Sequence, residues 1–297
     1  MSEARSYFIG PAEQLAPSLP AGLHVTATPI GNLGDVTLRA LATLAAADVI
    51  LCEDTRITSR LLERYGIKRP MKPYHEHNAE KVRPAIIAAL QGGAAYALVS
   101  DAGVPLVSDP GYRLVKSCVE NDIAVTALPG ASAVLTALAL SGLPTDCFTF
   151  IGFLPQRQKA RHDLLMQFKA IPSTLIAFES PHRIVDALSD ISMALGDRRV
   201  AVARELTKLH EEVLRGTAED VRHILASRES VKGEICLVIA PPEETSEMAN
   251  DDDIERAITV ALTENPASKA AALVAKTLGM PKEDIYARIL KRKAENG

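Results

Sequence analysis

Six short peptides rich in Gly, Pro, Ser, Asp and Glu follow apolar runs of the sequence, where strands would end. They are TPIGN (28–32), EDTR (53–56), SDAGVPLVSDPG (100–111), PGAS (129–132), ESPHR (179–183) and RELTKLHEE (204–212). Glycine lets a backbone approach a ligand closely, and turns of this composition leave N–H groups free to bind it. Turn formation alone explains any one of these peptides, whereas the whole set favours a shared ligand site.

Arginines recur every four residues in the segment that follows EDTR. Arg56, Arg60 and Arg64 share one face if this segment is a helix. The formal net charge of −4 argues by itself against nucleic-acid binding. The total hides the local distribution, however, and a basic stripe is suited to bind the phosphates of a nucleic acid.

The motifs of several common enzyme classes are missing. The sequence contains no GxxxxGK[ST], no GxGxxG after its first strand, and neither GxSxG nor HExxH. His75 and His77 flank Glu76, but no clear third ligand accompanies them. We therefore predict polar surface or substrate contacts there, and no metal site.

Composition indicates a protein of a reducing compartment with an aliphatic core. Of the 297 residues, 47% are hydrophobic, and the four cysteines show no CxxC spacing. No apolar run approaches the roughly 18 residues of a membrane helix. The first twenty residues lack the apolar stretch of a secretory signal. We expect a cytoplasmic protein that does not enter a membrane.

The elements that would position the six peptides alternate along the chain. LHVTAT, DVILCE, AYALVS and IAVTAL predict strands, and helical segments separate them, the first with Asp35 as a plausible N-cap. This alternation predicts an α/β lobe over residues 22–144, with a mostly parallel sheet covered on both faces. Ligands of such sheets bind beyond the carboxyl ends of the strands.

A second lobe and a helical unit are predicted further along the chain. FTFIGF, STLIAFE, RVAVARE and EICLVIA predict strands of an α/β lobe over 145–241, and HEEVLRG is short enough to add a strand to a mixed sheet. The acidic stretch 242–252 predicts a linker. Three helical segments over 253–297 predict a unit like a helix-turn-helix. Residues 1–21 are expected to form a flexible leader.

Seven segments together resemble one family. They are VTATPIGNLGDVTLRAL, EDTRITSRLL, SDAGVPLVSDPGYRLV, PGASAVLTALALSGLP, FIGFLP, ESPHR and RELTKLHEEVLRG. In this order they resemble the bacterial 16S ribosomal RNA ribose 2′-O-methyltransferases, which belong to the tetrapyrrole-methylase superfamily of class III methyltransferases. The resemblance covers residues 22 to about 240, and the helical tail is similar to the helix-turn-helix of the same family. It implies a two-lobed fold, a homodimer, and methyl transfer from S-adenosyl-L-methionine to a cytidine ribose in the decoding region of 16S ribosomal RNA.

The resemblance also implies which residues contact the cofactor. Matched motif by motif, these are Pro29, Gly31, Asp101, Ala102, Gly103, Val104, Val107, Ser132, Ala133, Phe178, Glu179 and Leu206. The superfamily usually has a more glycine-rich first loop and an aspartate where Val104 stands. Both departures point toward the RNA-modifying branch and away from the porphyrin branch.

Methylation of a ribose hydroxyl requires alignment of oxygen, methyl carbon and sulfur, and an acceptor for the hydroxyl proton, but no metal. The candidate acceptors are Glu53, Asp54, Asp101, Glu179 and Glu205. The candidate RNA ligands are Arg56, Arg60, Arg64, Arg183 and Lys208. A carboxylate near an arginine is often a structural ion pair, so the sequence does not choose among the five acceptors.

Two other functions remain open. A methyltransferase for a tetrapyrrole or another small molecule would use the same fold, but it would need neither the arginine stripe nor the helical tail. A ribosome-assembly factor would bind RNA and cofactor without catalysis. The expected partner is 16S ribosomal RNA within the small ribosomal subunit, and neither DNA nor a membrane.

Overall fold

A β-hairpin precedes the first lobe. Strands β1 (Ser6–Ile9) and β2 (Ala12–Leu15) pair antiparallel in a computed structural model that describes residues 5–106, 111–243, 251–278 and 280–295. The predicted flexible leader over residues 1–21 is therefore wrong for the hairpin. Tyr7 is buried in the same cluster as Leu41 and Leu61 of the first lobe, so an apolar side chain anchors the hairpin.

The first lobe is built on a five-stranded parallel sheet with the order β5-β4-β6-β3-β7. Its strands are β3 (Gly22–Thr26), β4 (Val49–Cys52), β5 (Met71–Pro73), β6 (Ala95–Leu98) and β7 (Val125–Leu128). Its helices are α1 (Leu38–Ala46), α2 (Thr55–Arg64), α3 (Ala79–Gln91), α4 (Tyr112–Glu120) and α5 (Ala133–Ser141). Neighbouring residues of β4, Ile50 and Leu51, enter two different buried clusters. Both faces of the sheet are thus covered, as predicted.

Three local details of this lobe differ from the prediction. Helix α1 is capped by Thr37, whose side chain accepts a hydrogen bond from the amide of Ala40 at 3.1 Å, whereas Asp35 lies in a preceding 3₁₀ turn. Strand β5 was not predicted, because three residues carry no alternation pattern. The sequence pattern before Gly92-Gly93 predicts a helix only around residues 85–90, whereas helix α3 starts at Ala79 and accommodates Pro84 in its first half.

The second lobe has a mixed five-stranded sheet with the order β11-β10-β12-β9-β8. Its strands are β8 (Phe148–Phe153), β9 (Thr174–Glu179), β10 (Arg199–Arg204), β11 (Glu212–Thr217) and β12 (Ile235–Ile239), and its helices are α6 (Gln158–Gln167), α7 (Ile184–Leu195) and α8 (Ala218–Ala226). Only β8 and β9 are parallel among the described pairs. The predicted added strand is β11.

Helix α5 of the first lobe packs against the second sheet. Its residues Val134 and Ala137 belong to one buried cluster with Ile176, Ala201 and Val238 of strands β9, β10 and β12. Helices α7 and α8 belong to the cluster on the opposite face of that sheet. The two lobes accordingly form one compact unit up to Pro241.

A second compact unit contains three helices. They are α9 (Asp251–Glu264), α10 (Ala267–Leu278) and α11 (Lys282–Glu295), around a core that includes Ile254, Ile258, Val274, Ile285 and Ile289. Most of the predicted acidic linker, residues 244–250, lies outside the described residues, and its end at Asp251 already belongs to α9. None of the helices in the described ranges has the length and hydropathy needed to cross a membrane.

Candidate functional site

The two lobes enclose a cavity of about 430 Å³. Loops after β3, β6 and β7 form one wall, and the ends of β9 and β10 with the start of β12 form the other. Of the cofactor contacts that the resemblance implies, the cavity is lined by Asp101, Ala102, Gly103, Val104, Ser132, Ala133, Phe178, Glu179 and Leu206. The volume and the largely apolar lining are typical of a small-molecule site.

Two first-lobe loops are joined by backbone hydrogen bonds. The amide of Thr28 donates to the carbonyl of Gly103 at 2.9 Å, and the amide of Gly103 donates to the carbonyl of Thr28 at 3.0 Å. Gly103 has φ +80°, and a Cβ there would lie 3.2 Å from Cγ2 of Ile30. The position therefore favours glycine, and the loop backbone forms a fixed part of the wall.

Two of the expected cofactor contacts, Pro29 and Gly31, do not line the cavity. Ile30 does so instead of its neighbours Pro29 and Gly31. Pro29 is buried, and Gly31 faces an open groove described below. In an extended segment, neighbouring side chains point to opposite sides, so the contact shifts by one residue. Val107 lies outside the described residues.

The N-terminus of α5 faces the cavity. Ser132 caps the helix through its side chain, which accepts a hydrogen bond from the amide of Leu135 at 3.4 Å. The amides of the first helical residues, Ala133 and Val134, have no partner within the helix. Both residues line the cavity, so this end of it offers N–H donors and a partial positive charge to an anionic group.

Glu179 is a buried carboxylate in the opposite wall. Its Oε1 forms an ion pair with Nη2 of Arg183 at 2.5 Å and accepts a hydrogen bond from the amide of Ser180 at 2.6 Å. Its Oε2 is buried and has no hydrogen-bond partner among the described residues. A buried oxygen of this kind needs a donor, which makes Glu179 a candidate ligand for a hydroxyl or amino group in the cavity.

The segment after β10 adopts a strained backbone to bring Leu206 into the cavity. Glu205 and Thr207 have φ of +51° and +64°, which are uncommon for residues other than glycine. Lys208 donates to Oε1 of Glu205 at 2.8 Å and to Oε2 of Glu234 at 3.1 Å. The hydrogen bond from Lys208 holds the pKa of Glu205 below its usual value.

A second depression, which we call the acidic pocket, adjoins the cavity. It is lined by Glu53, Asp54, Thr55, Pro73, His75, His77 and Asp101. Within the described ranges, Asp101 is the only residue that lines both the cavity and the acidic pocket. Oδ1 of Asp101 accepts a hydrogen bond from the amide of Asp54 at 3.1 Å.

The carboxylates of the acidic pocket differ in their charge environment. Asp54 caps α2, accepting from the amide of Arg56 at 2.8 Å and from Nη2 of the same arginine at 2.5 Å. The side-chain hydrogen bond from Arg56 lowers the pKa of Asp54 to about 2. Burial raises the pKa of Asp101, and burial together with the negative charge of Asp101 raises the pKa of Glu53.

Helix α2 carries the predicted arginine stripe. Arg56, Arg60 and Arg64 are exposed, and Arg56 pairs with Asp54. In the described part of the chain, neither Arg60 nor Arg64 forms an ion pair. The ten-residue helix spans about 15 Å from the acidic pocket, at its first residue, to a groove at its last.

The groove at the end of α2, which we call the basic groove, combines residues of both lobes. It is lined by Gly31, Asn32, Leu33, Gly34, Arg64, Tyr65, Thr207, Lys208 and Leu209. A Cβ on Gly31 would lie 2.5 Å from Cγ of Lys208, so this glycine allows the two lobes to meet closely. The two predicted phosphate ligands of the second lobe, Lys208 and Arg183, are both engaged by carboxylates.

Metal coordination finds no support in the side-chain arrangement. The rings of His75 and His77 lie 6.0 Å apart. Within the described ranges, no three or more His, Cys, Asp or Glu side chains are arranged to hold a metal ion.

One part of the cavity wall carried no recognised motif in the sequence. Gly233, Glu234, Ile235 and Cys236 line the cavity at the start of β12. Strand β12 runs antiparallel to β9, with Ile235 opposite Glu179, so its amino end lies beside the carboxyl end of β9. The available sequence signal was a glycine, Gly233, directly before a predicted strand, and in the structure this glycine has φ +92°.

Comparisons with known proteins agree with this architecture. A sequence profile described as "Tetrapyrrole (Corrin/Porphyrin) Methylases" matches residues 22–222, and one described as "RsmI C-terminal HTH domain" matches residues 248–293. A relative from Mesorhizobium japonicum named ribosomal RNA small subunit methyltransferase I is 49% identical over 97% of this chain and 98% of its own length. A relative of the same name from Halalkalibacterium halodurans is 46% identical over 89% of this chain and 93% of its own length.

A solved structure shares the two-lobed fold. The uroporphyrin-III C-methyltransferase from Thermus thermophilus, complexed with S-adenyl homocysteine, is similar with a TM-score of 0.51. It is 18% identical, and the match covers 73% of this chain and 96% of that one.

Proposed function

The chain belongs to the tetrapyrrole (corrin/porphyrin) methylase family and is a methyltransferase, and from this premise we propose that it methylates ribosomal RNA of the small subunit with S-adenosyl-L-methionine. The proposed position is the ribose 2′-hydroxyl of a cytidine, in the decoding region that the motif resemblance implies. The observation that carries the proposal is the 49% identity to a ribosomal RNA small subunit methyltransferase I along 97% of the chain, because it spans both lobes and the helical unit.

The cavity residues fit S-adenosyl-L-methionine, which supplies a methyl group activated by a sulfonium. Ile30, Phe178 and Leu206 provide apolar surface for a planar base. The free amides at the start of α5 suit a carboxylate. Oε2 of Glu179, which has no partner among the described residues, suits an amino or hydroxyl donor. These residues bind and orient the cofactor, and the enclosing lobes limit the access of water.

The surface next to the cavity supports an RNA substrate. Arg60 and Arg64 are exposed on α2, which connects the acidic pocket with the basic groove. Unpaired cations of this kind bind backbone phosphates and position the strand, while the acidic pocket receives the reacting nucleoside. The helical unit, whose sequence matches a helix-turn-helix profile, is a further candidate RNA contact. We also expect a homodimer.

Calorimetry and RNA analysis test this function together. Purified protein should bind S-adenosylhomocysteine, and the enzyme with S-adenosyl-L-methionine should produce one 2′-O-methylcytidine in small-subunit RNA from a strain that lacks it. Mass spectrometry of the nucleosides measures that product. Turnover of a corrinoid-type substrate without RNA methylation would favour the small-molecule alternative. RNA binding without any methyl transfer would favour the assembly factor.

A further inference from the structure

We propose that Asp101 is the catalytic base of the methyl transfer and that the acidic pocket holds the ribose that is methylated. This inference rests on the proposed function, because it requires the methyl donor in the cavity between the lobes. It adds an assignment that the sequence left open among five carboxylates.

The position of Asp101 is the first argument. The accepting hydroxyl must lie next to the methyl group and next to the base at the same time. A base therefore has to stand where the cofactor cavity meets the pocket for the acceptor. Asp101 is the only residue in the described ranges that lines both spaces.

The engagement of the other carboxylates is the second argument. Asp54 is held by the side chain and the amide of Arg56. Glu179 is held by Arg183, and Glu205 is held by Lys208. A carboxylate bound to a cation is a weaker base, because the cation stabilises its ionised form. Glu53 has no such partner among the described residues, but it lines only the acidic pocket.

The electrostatics of the pocket suit a base. Asp101 is partly buried, and burial raises its pKa, so that its carboxylate accepts a proton more readily than an exposed one. The charged and titratable groups that surround it are Cys52, Glu53, Asp54, Arg56, His75 and His77. Glu53 and Asp101 form an interacting pair, so the charge on one influences the protonation of the other.

The reaction balances with Asp101 as the proton acceptor. The ribose 2′-oxygen forms a bond to the methyl carbon while the carbon–sulfur bond breaks and its electron pair goes to sulfur. The hydroxyl proton passes to the carboxylate of Asp101. The products are a ribose methyl ether, a neutral thioether and a protonated Asp101, which then releases its proton to solvent.

Asp101→Asn tests the role of the base with little structural disturbance. An asparagine oxygen can still accept the hydrogen bond from the amide of Asp54. The single-turnover rate at saturating cofactor and RNA should fall about 10²- to 10⁴-fold. The acid limb of the wild-type pH–rate profile, which reports protonation of the base, should be absent from the residual activity. Asp163→Asn, at an exposed position that lines neither space, is the matched control.

Binding of S-adenosylhomocysteine separates catalysis from cofactor binding. We expect the Asp101→Asn variant to retain its affinity within about threefold while the rate collapses. Affinity and rate falling in parallel would overturn the inference, since the carboxylate would then serve the cofactor. If the wild type is active and the Asp101→Asn variant methylates RNA at the same rate, the inference is also overturned. A wild type that neither binds the cofactor product nor methylates RNA would instead contradict the proposed function.

Glu53→Gln allows a measurement on the free protein, which needs no activity, to be compared with the pH–rate profile. Removing the neighbouring negative charge should lower the pKa of Asp101, which can be followed by carbon NMR of its carboxyl group in the free protein. The acid limb of the pH–rate profile should then move to lower pH by the same amount. If the pKa of Asp101 changed while the acid limb of the pH–rate profile stayed at the same pH, another group would be the proton acceptor. That result would overturn the assignment.

Discussion

The charged side chains on the two sides of the cavity differ in whether they form ion pairs. On the second-lobe wall, Glu179 is paired with Arg183, and Glu205, which precedes the wall residue Leu206, is paired with Lys208. On the first-lobe side, Asp54 is paired with Arg56, but Glu53 and Asp101 form no ion pair among the described residues, and both have raised pKa values. Paired charges keep a wall in shape, whereas unpaired ones retain the reactivity that proton transfer requires.

The cations divide in the same way. Arg183 and Lys208 of the second lobe are neutralised by carboxylates. In the first-lobe stripe Arg56 is paired with Asp54, while Arg60 and Arg64 are exposed without an ion pair in the described part of the chain. Both walls supply expected cofactor contacts. We therefore propose that the ion pairs of the second-lobe wall mainly maintain its shape, and that proton transfer and RNA contact belong mainly to the first-lobe side. Four experiments test this division.

The largest effect is expected when the buried pair of the second-lobe wall is broken. Arg183→Ala leaves the fully buried Glu179 without its cation, and the free energy of unfolding should fall by about 3 kcal/mol in urea denaturation. The Glu179→Gln, Arg183→Ala double variant should lose clearly less, because no uncompensated charge remains. Equal losses in the two variants would mean that the pair contributes packing and not charge balance.

The next effect concerns the backbone that supports this wall. Gly233 has φ +92°, and a Cβ there would lie 2.3 Å from Cγ of Glu205. Gly233→Ala should cost about 2 kcal/mol and weaken binding of S-adenosylhomocysteine. Gly93 is the matched control, because it has φ +91° but no atom within 4 Å of the added Cβ. Gly93→Ala should cost about 1 kcal/mol, and identical costs would exclude a role for the Glu205 contact.

Most of the fold could be predicted from local sequence patterns. The helical sequence patterns over 184–195 and 218–226 coincide with α7 and α8, because Gly196 ends the first and a capping box at Thr217 starts the second. Strand β5 was missed because its three residues are too few to show an alternation pattern. Local patterns describe neighbours along the chain, so they succeed for elements with strong end signals.

The general position of the cavity could be predicted from the sequence, but several of its details could not. Its motif loops follow strands, which the parallel-sheet rule locates. The contribution of Gly233 was missed, because it depends on the antiparallel register between β12 and β9. The choice among the carboxylates also lay beyond the sequence, because Asp54 and Asp101 differ in burial and partners, and these are tertiary properties.

The stripe on the first-lobe side predicts a moderate effect on RNA affinity. Reversing charge at Arg60 and Arg64 should weaken RNA binding about tenfold, or about 1.4 kcal/mol, and reduce the salt slope by about 1.4. Binding of S-adenosylhomocysteine should not change. Arg157→Glu with Lys159→Glu, at exposed second-lobe positions, changes the net charge equally and is the control. Unchanged affinity at low salt in the stripe variant would refute its role.

The smallest expected effect is a change in stability at pH 7 whose sign differs between substitution of Glu53 and substitution of Glu205. The folded-state pKa of Glu53 lies above its ordinary value of 4.5, so the native state binds more protons in that window and wild-type stability falls as pH rises through it. Glu53→Gln removes this loss and should gain on the order of 0.5 kcal/mol at pH 7, with no gain below pH 4.5. Glu205 has a lowered pKa, so its charge contributes stability above its ordinary value, and Glu205→Gln should instead be less stable at pH 7. Thermal unfolding across pH measures both variants. If the two substitutions shifted stability in the same direction, unpaired and paired carboxylates would be energetically alike, and the division between the walls would fail.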